Sequence, residues 1–298
     1  MIKELLKKFS AEEILDYFEN KNDGVKWLIN GEQHNELSIS DRGFQYGDGL
    51  FETIEVLNGQ LILFAQHCQR LTLGCKKLLL PEPNISLLKQ EALALIKNCQ
   101  HGVLKIIITR GSGGRGYRQP ESIEPTRVLS LHPYPNNPDS FQQQGINAIF
   151  CQQRLGLNPT LAGLKHLNRL EQVLARAEWD SPVIQEGIML DINDYVIEGT
   201  MSNVFFVKDN ILYTPSLEQS GIAGIMRDFV LKMTHALAIE NKQGLFTQQQ
   251  LLDADEIFVT NSVIGIWAIK KLAEKSFSKG QITQSLQTAL AEYKQQFI

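Results

Sequence analysis

The stretch Leu161-Ala162-Gly163-Leu164-Lys165-His166-Leu167-Asn168-Arg169 decides how the rest of the chain is interpreted. Lys165 lies among apolar residues, where a loop leads into a helix predicted over residues 167–179, with Leu170, Val173, Leu174 and Ala177 on its inner face. An amine in such surroundings loses solvation, so its pKa falls and it can attack an aldehyde. Taken alone, however, the stretch fits an exposed lysine at a helix start better than a reactive one.

A second polar stretch, Glu198-Gly199-Thr200-Met201-Ser202-Asn203, follows a predicted strand. A carboxylate beside a pyridine nitrogen keeps that nitrogen protonated and the ring electron-withdrawing. Glu198 is the candidate for this role, and Asn203 is the candidate for bracing the turn. A glutamate that merely precedes a turn at Gly199 would give the same pattern.

Three further segments could bind a phosphate group. Gly221-Ile222-Ala223-Gly224-Ile225-Met226-Arg227 opens a predicted helix, whose N-terminal N–H groups attract anions. Thr260-Asn261-Ser262 follows an apolar strand and could add donors. Arg70, on a helix predicted over residues 65–80, could bind phosphate with two N–H groups. Capping glycines and a solvent-facing arginine remain the ordinary structural explanations.

Two glycine-containing loops complete the set of candidate segments. Arg110-Gly111-Ser112-Gly113-Gly114-Arg115-Gly116-Tyr117 follows an apolar strand, and its arginines, Arg110 and Arg115, could bind substrate carboxylates. The loop lacks the nucleotide-binding glycine patterns, and an ordinary hairpin loop would fit equally well. The stretch from Asp41 to Thr53 predicts a tight loop that leads into a strand.

The order of predicted elements indicates an α+β protein with two domains. Strand patterns and the turns Asn30-Gly31 and Asn58-Gly59 dominate the first half, and strands resume at Ile146. The bounds predicted are a helical extension over residues 1–24, a small domain over 25–132, a linker over 133–142 and a larger domain over 143–298. The extension is a helix with Ser10 and Glu13 as a capping box, and three prolines mark the linker.

Composition excludes several classes of function. The 298 residues are 43% hydrophobic and 21% charged, with a net charge of −4, which does not favour a nucleic-acid partner. No segment is apolar enough to predict a signal peptide or a membrane span. The four cysteines form neither a CxxC pair nor a metal-binding pattern, so we expect a cytoplasmic protein with reduced cysteines and no metal.

From about Trp27 to Ile269 the ordered segments together resemble the fold type IV pyridoxal-phosphate enzymes, the branched-chain aminotransferase-like superfamily. The resemblance implies a two-domain fold, a pyridoxal 5'-phosphate cofactor and a homodimer. It implies that Lys165 bonds the cofactor and that Glu198 faces the pyridine nitrogen. The phosphate and its surroundings would involve Arg70, Asn203, Gly224, Ile225, Thr260 and Asn261.

Within this superfamily, residues 104–117 and 161–174 resemble the aminodeoxychorismate lyases. That resemblance implies that 4-amino-4-deoxychorismate is split into 4-aminobenzoate and pyruvate, with Lys165 as the base and Lys165 or Thr53 as the proton donor. Glu52 and Thr53 occupy positions that vary between lyases and transaminases, and residues 1–24 lie outside the family pattern. The alternatives are a transaminase of D-amino acids or branched-chain amino acids, and a pyridoxal-phosphate-binding protein without catalysis.

Overall fold

The computed structural model describes residues 25–297. The helix and capping box predicted for residues 1–24 lie outside the described residues. The first part of the described chain forms a five-stranded antiparallel sheet in the order β1-β5-β4-β2-β3. Its strands are β1 (Lys26–Ile29), β2 (Gly49–Leu57), β3 (Gln60–Leu61), β4 (His101–Thr109) and β5 (Arg127–Pro133), and its helices are α1 (Arg42–Tyr46), α2 (Phe64–Lys77) and α3 (Ile85–Ile96).

Side chains of this sheet alternate between two faces, because successive residues of a strand point in opposite directions. Ile54, Leu104 and Leu129 are fully buried in the core that the sheet forms with α2 and α3. The other face of β2 carries Phe51 and Thr53, which line a cavity. The alternation therefore places Phe51 and Thr53 on the side of the sheet opposite its helices.

The second part of the chain forms a larger mixed sheet in the order β11-β10-β9-β12-β13-β6-β7-β8. β8 also pairs with β9 through Glu198 and Asn203, so the sheet curls back on itself. The strands are β6 (Ile146–Leu155), β7 (Glu186–Asp191), β8 (Val196–Gly199), β9 (Asn203–Lys208), β10 (Ile211–Pro215), β11 (Asn241–Gly244), β12 (Glu256–Asn261), β13 (Gly265–Leu272) and β14 (Lys275–Ser276). The helices are α4 (Asp139–Gln144), α5 (Leu170–Arg176), α6 (Ile225–Ala236), α7 (Gln248–Leu252) and α8 (Gln281–Gln295).

Both α and β elements occur in each part, which confirms the α+β class. Residues 133–142 run from the last residue of β5 into the first turn of α4 and connect the two sheets. The domain bounds themselves stay a prediction. No helix among residues 25–297 has the length and apolar character that a membrane span requires.

The prediction for α5 was wrong in one respect. The apolar pattern assigned Leu170, Val173, Leu174 and Ala177 to the inner face, but the first three are 76%, 60% and 57% exposed, and Ala177 is exposed as well. Gln172 and Ala175 are the buried residues of this helix instead. Periodicity shows that a helix has an apolar side, and it does not show whether this chain or another one covers that side.

Candidate active site

Main-chain hydrogen bonds fix the lysine segment on both sides of Lys165. The N–H of Phe51 donates to the carbonyl of Lys165 (3.0 Å), and the N–H of Leu167 donates to the carbonyl of Gly49 (3.0 Å). On the other side, Gly163 donates to Gly221 (2.9 Å). Gly163 has a φ of +79°, a conformation that glycine adopts without strain. The segment thus joins the edge of β2 to the loop before α6.

The Lys165 amine lies in a cavity of about 730 Å³. Its Nζ is 4.3 Å from the centre of the Phe51 ring. Burial, together with the positive charge of Arg70, lowers the pKa of Lys165 to about 8, although Glu52 and Glu198 act in the opposite direction. A larger share of neutral, nucleophilic amine is therefore present near pH 7 than in an exposed lysine.

Glu198 lines the same cavity from the end of β8 and is buried. Its Oε2 accepts a hydrogen bond from the N–H of Ile222 (2.8 Å), and its Oε1 accepts one from Nε2 of Gln172 (3.3 Å). Burial raises the pKa of Glu198 to about 7, although the Ile222 N–H and the charge of Arg169 favour ionisation. A positively charged group bound beside Glu198 would stabilise the carboxylate further.

Arg70 lies on α2 and is held by a buried carboxylate. Its Nε and Nη2 donate to the two oxygens of Glu52 at 2.8 and 2.5 Å, and its Nη1 donates to the carbonyl of Ala223 (2.9 Å). Nδ1 of His67 also contacts Glu52, at 2.6 Å. Burial alone would raise the pKa of Glu52, but the hydrogen bonds and charges of Arg70 and His67 lower it to about 2. Arg70 is thus fixed at the cavity wall, with two of its five N–H groups left for an anion.

The start of α6 forms the part of the cavity next to Arg70. Gly224 is the N-cap, and the first N–H groups of the helix have no acceptor within it. A Cβ on Gly224 would lie 2.0 Å from Oδ1 of Asn203. Asn203 is buried and donates from Nδ2 to the carbonyl of Ile222 (2.8 Å), so it braces the turn before α6, whereas the sequence assigned it to the turn after Glu198.

The last two residues of β12, Thr260 and Asn261, line the cavity where the strand leads into a turn. The Thr260 hydroxyl donates to the carbonyl of Gly265 (2.6 Å). Oδ1 of Asn261 accepts from the N–H groups of Val263 and Ile264, and its Nδ2 donates to Met201. Both side chains therefore shape the turn, which leaves the main chain and Ser262 as the donors available to a ligand.

Thr53 lines the cavity on the same strand face as Phe51. Across the sheet it pairs with Lys105, which in turn pairs with Ser130. Nζ of Lys105 is 5.4 Å from the Phe51 ring centre, so two amines flank one ring. His132 lines the same end of the cavity, and burial and the charge of Lys105 lower its pKa.

The two arginines predicted to bind substrate lie elsewhere in this chain. Arg110 is buried, and it donates to both oxygens of Asp48 and to the carbonyls of Leu78 and Leu79. Its N–H groups therefore bind Asp48 and the main chain instead of a substrate carboxylate, which corrects the role predicted for Arg110 from the sequence. Arg115 is exposed in its loop and does not line the cavity.

Sequence reasoning missed a row of polar residues on α5. Arg169, Gln172 and Arg176 all line the cavity. Their spacing of three and four residues places them on one side of a helix. The same spacing was available in the sequence, but the apolar residues Leu170, Val173 and Leu174 dominated the interpretation. Lys105 was also missed, because its position in an apolar strand gave no sign of a polar face.

Comparison with known proteins agrees with this arrangement. Residues 49–272 match the family Amino-transferase class IV. The chain is 37% identical over 264 residues to an aminodeoxychorismate lyase of Vibrio harveyi, and the match covers 87% of this chain and 97% of that protein. It is 30% identical over 281 residues to a D-alanine aminotransferase of Bacillus licheniformis, covering 89% of this chain and 96% of that protein.

A solved structure gives the same result for the fold. The crystal structure of 4-amino-4-deoxychorismate lyase from Pseudomonas aeruginosa superposes with a TM-score of 0.86 at 42% identity. The match covers 89% of this chain and 98% of that one. The family match over residues 49–272, together with relatives of 37% and 42% identity over most of its length, shows that this chain belongs to the class IV aminotransferase family.

Proposed function

We propose that this chain is a pyridoxal 5'-phosphate-dependent lyase that splits 4-amino-4-deoxychorismate into 4-aminobenzoate, a folate precursor, and pyruvate. The observation that carries the proposal is one cavity that gathers Lys165, Glu198 and Arg70. The lyases from Vibrio harveyi and Pseudomonas aeruginosa, at 37% and 42% identity, support this reaction over transamination.

The residues of the cavity fit the cofactor. Its phosphate would take the two remaining N–H groups of Arg70, the N–H groups of Ile225 and Met226, and the main chain around Asn261. Glu198 would face the pyridine nitrogen, and its raised pKa of about 7 would fall beside a protonated ring. Lys165 would supply the amine that bonds the aldehyde, favoured by its lowered pKa.

The cofactor, when bound, draws electrons from the substrate carbon that bears the amine. Lys165, freed when the substrate amine takes its place and neutral at that point, would remove the proton from that carbon. The bond between the ring and the enolpyruvyl oxygen then breaks, and the six-membered ring becomes aromatic. Lys165 or the Thr53 hydroxyl returns a proton to the departing enolpyruvate, which leaves as pyruvate.

The end of the cavity near Thr53 would receive the substrate carboxylates. Lys105 and His132 lie on this face of the first sheet, and Lys105 provides a positive charge without a carboxylate partner among the described side chains. Arg110 is occupied by Asp48, whereas Arg115 is exposed and free to reach a neighbouring subunit. We therefore place Lys105 in the substrate site of its own chain and Arg115 in that of a partner.

We also propose a homodimer, which the surface of α5 supports. Leu170, Val173 and Leu174 form an exposed apolar row on α5, directly after the lysine segment. An apolar row of this kind favours contact with another chain. Size-exclusion chromatography with light scattering tests the proposal: Leu170→Glu combined with Leu174→Glu should shift the dimer to monomer.

The reaction itself is tested by mixing the purified protein with 4-amino-4-deoxychorismate and following 4-aminobenzoate fluorescence. We expect product from the wild type and at least roughly a thousandfold less from Lys165→Ala, on the order of the contribution of a general base and nucleophile. Lys76→Ala, a surface lysine at the end of α2, is the control. If the loaded protein forms no 4-aminobenzoate but transfers the amine of D-alanine to 2-oxoglutarate, it is a transaminase instead. If it binds pyridoxal phosphate and reacts with neither, it is a binding protein.

A further inference from the structure

Gln172 occupies the middle of α5 and lines the cavity beside Glu198. Its side chain is about nine-tenths buried, at 9% exposure. Nε2 donates to Oε1 of Glu198 at 3.3 Å. An ionised carboxylate only accepts hydrogen bonds, so this contact fixes which end of the Gln172 amide faces Glu198.

The opposite end of the same amide has no partner. Oε1 of Gln172 is buried and accepts no hydrogen bond from any residue between 25 and 297. Arg169, one turn earlier on α5, does not fill this role, because its Nε donates to the carbonyl of His166 and its Nη2 contacts the His166 ring. A buried acceptor without a donor costs free energy, and an apolar side chain of similar size would avoid that cost.

We propose that Gln172 is a positioning residue for the bound cofactor: its N–H holds the Glu198 carboxylate, and its Oε1 is a second acceptor that shares the single N–H of the protonated pyridine ring with Glu198. The inference rests on the proposed function, since it requires a protonated ring in this cavity. The unpaired acceptor and the carboxylate are adjacent, so together they form one edge that accepts hydrogen bonds from an N–H or O–H group.

The contact with Glu198 has a further consequence for its ionisation. Burial raises the pKa of Glu198, and the N–H of Gln172 is among the groups that lower it again. Without that N–H, Glu198 should hold its proton to a higher pH. Over the pH range in which Glu198 is protonated, the pyridine ring lacks the ionised carboxylate as an acceptor.

The test compares Gln172→Met with the control Gln185→Met in the full-length protein. Gln185 is half-buried, but its amide is fully used: Oε1 accepts from the N–H of Asn147 (3.0 Å) and Nε2 donates to Pro182 (2.7 Å). For Gln172→Met we expect the Kd for pyridoxal phosphate to rise about tenfold, as for loss of one hydrogen bond in a charged site. The Tm of the cofactor-free protein should change little, because removal of the unpaired Oε1 offsets loss of the N–H that Glu198 accepts.

Gln185→Met should show the reverse, with a lower Tm and an unchanged Kd. The absorbance of the bound cofactor, titrated with pH, supplies a third measurement. The pH at which the ring loses its proton should fall in Gln172→Met, which removes an acceptor of that proton, and rise in Gln172→Glu, which adds a carboxylate beside it. If Gln172→Met does not fold, the midpoint of Gln172→Glu decides the question alone.

Two results would overturn the inference while leaving the proposed function intact. One is a wild-type Kd and midpoint in the Gln172 variants, and the other is weaker binding that accompanies a lower Tm of the empty protein, as a purely structural residue would give. A wild-type protein that takes up no pyridoxal phosphate would instead remove the proposed function, and the inference with it.

Discussion

The amine of Lys165 should control how fast the protein takes up pyridoxal phosphate. With a pKa of about 8, about a tenth of the amine is neutral at pH 7, far more than for an ordinary lysine. We expect the initial rate of uptake, followed by absorbance, to rise nearly tenfold per unit between pH 6 and 7.5 and to level above pH 8. A rate that still rises steeply at pH 10 would contradict the lowered pKa.

Because Glu198 also titrates near pH 7, the same profile should be measured in Glu198→Gln. If the titration of Lys165 causes the levelling, the rate of uptake by Glu198→Gln should also stop rising above pH 8.

The lowered pKa of Lys165 also affects the stability of the fold. Between about pH 8 and 10.5 the unfolded chain holds this proton and the folded chain does not, so Lys165 makes stability rise with pH in that window.

Glu52 should be the residue whose charge holds Arg70 in place. It is buried, and its pKa of about 2 keeps it ionised at any working pH. We expect Glu52→Gln to lower the free energy of unfolding at pH 7 by roughly 3 kcal/mol, because Arg70 loses its counter-charge and His67, whose pKa burial lowers, loses its charged hydrogen-bond partner. Urea unfolding measures this difference.

The direction in which the stabilisation by Glu52 changes with pH follows from its lowered pKa. The stabilisation by Glu52 is fully present above about pH 4.5 and is lost as pH falls toward 2, so the gap between wild type and Glu52→Gln should narrow over that range. A gap of constant size would show that Glu52 acts through packing alone. Glu91→Gln, which removes the buried partner of another arginine, Arg127, provides a comparison outside the cavity.

For single residues, the sequence predicted that Lys165, Glu198 and Arg70 belong to one site, but it did not predict which residues hold them in place. The role of Glu52 could not be inferred from its place in an apolar strand, since its partners come from α2. Arg110 looked as suitable for binding an anion as Arg70. Only the fold shows that Asp48 occupies Arg110, whereas Glu52 leaves part of Arg70 facing the cavity.

Among the elements, α6 should tolerate no side chain at its N-cap. Gly224 has an ordinary φ of −68°, so alanine is conformationally allowed, but its Cβ would lie 2.0 Å from Oδ1 of Asn203. We expect Gly224→Ala to cost about 2 kcal/mol of stability, as overpacking does, and to raise the Kd for pyridoxal phosphate. Adding Asn203→Ala removes the clash, so the double variant should lose less stability than the sum of the two single variants. Additive losses would show that the clash is relieved in another way.

The elements also differ in how far the sequence could predict them. Strands such as β4 and β12 carry continuous apolar runs and were placed correctly from the sequence. The orientation of α5 was predicted wrongly, because its apolar side chains are exposed on the surface while its polar side chains face the cavity. A helix beside a ligand site reverses the usual rule that the apolar side is the inner side.

Across the whole molecule, a chain of polar contacts connects the C-terminal helix to the cavity. Nζ of Lys294 on α8 lies 2.5 Å from Oε2 of the buried Glu55, as an ion pair rather than an aligned hydrogen bond. Oε1 of Glu55 contacts Nε2 of His101 (3.2 Å), whose ring stacks on Tyr134 with centres 3.5 Å apart. The Tyr134 hydroxyl donates to the carbonyl of Val263, in the turn that lines the cavity. These contacts join the first sheet to the second on the side where the chain crosses between them.

Because the contacts form a series, Glu55→Gln and Tyr134→Phe should not act independently. We expect Glu55→Gln to cost roughly 3 kcal/mol, since Lys294 loses its partner, and Tyr134→Phe to cost about 1 kcal/mol. The double variant should lose at least about 0.5 kcal/mol less than their sum, because His101 couples the two sites. Urea unfolding of the four proteins measures the coupling. Tyr195→Phe, just before β8, should show none with Glu55→Gln, and equal coupling for both tyrosines would mean that the effect is not carried through His101.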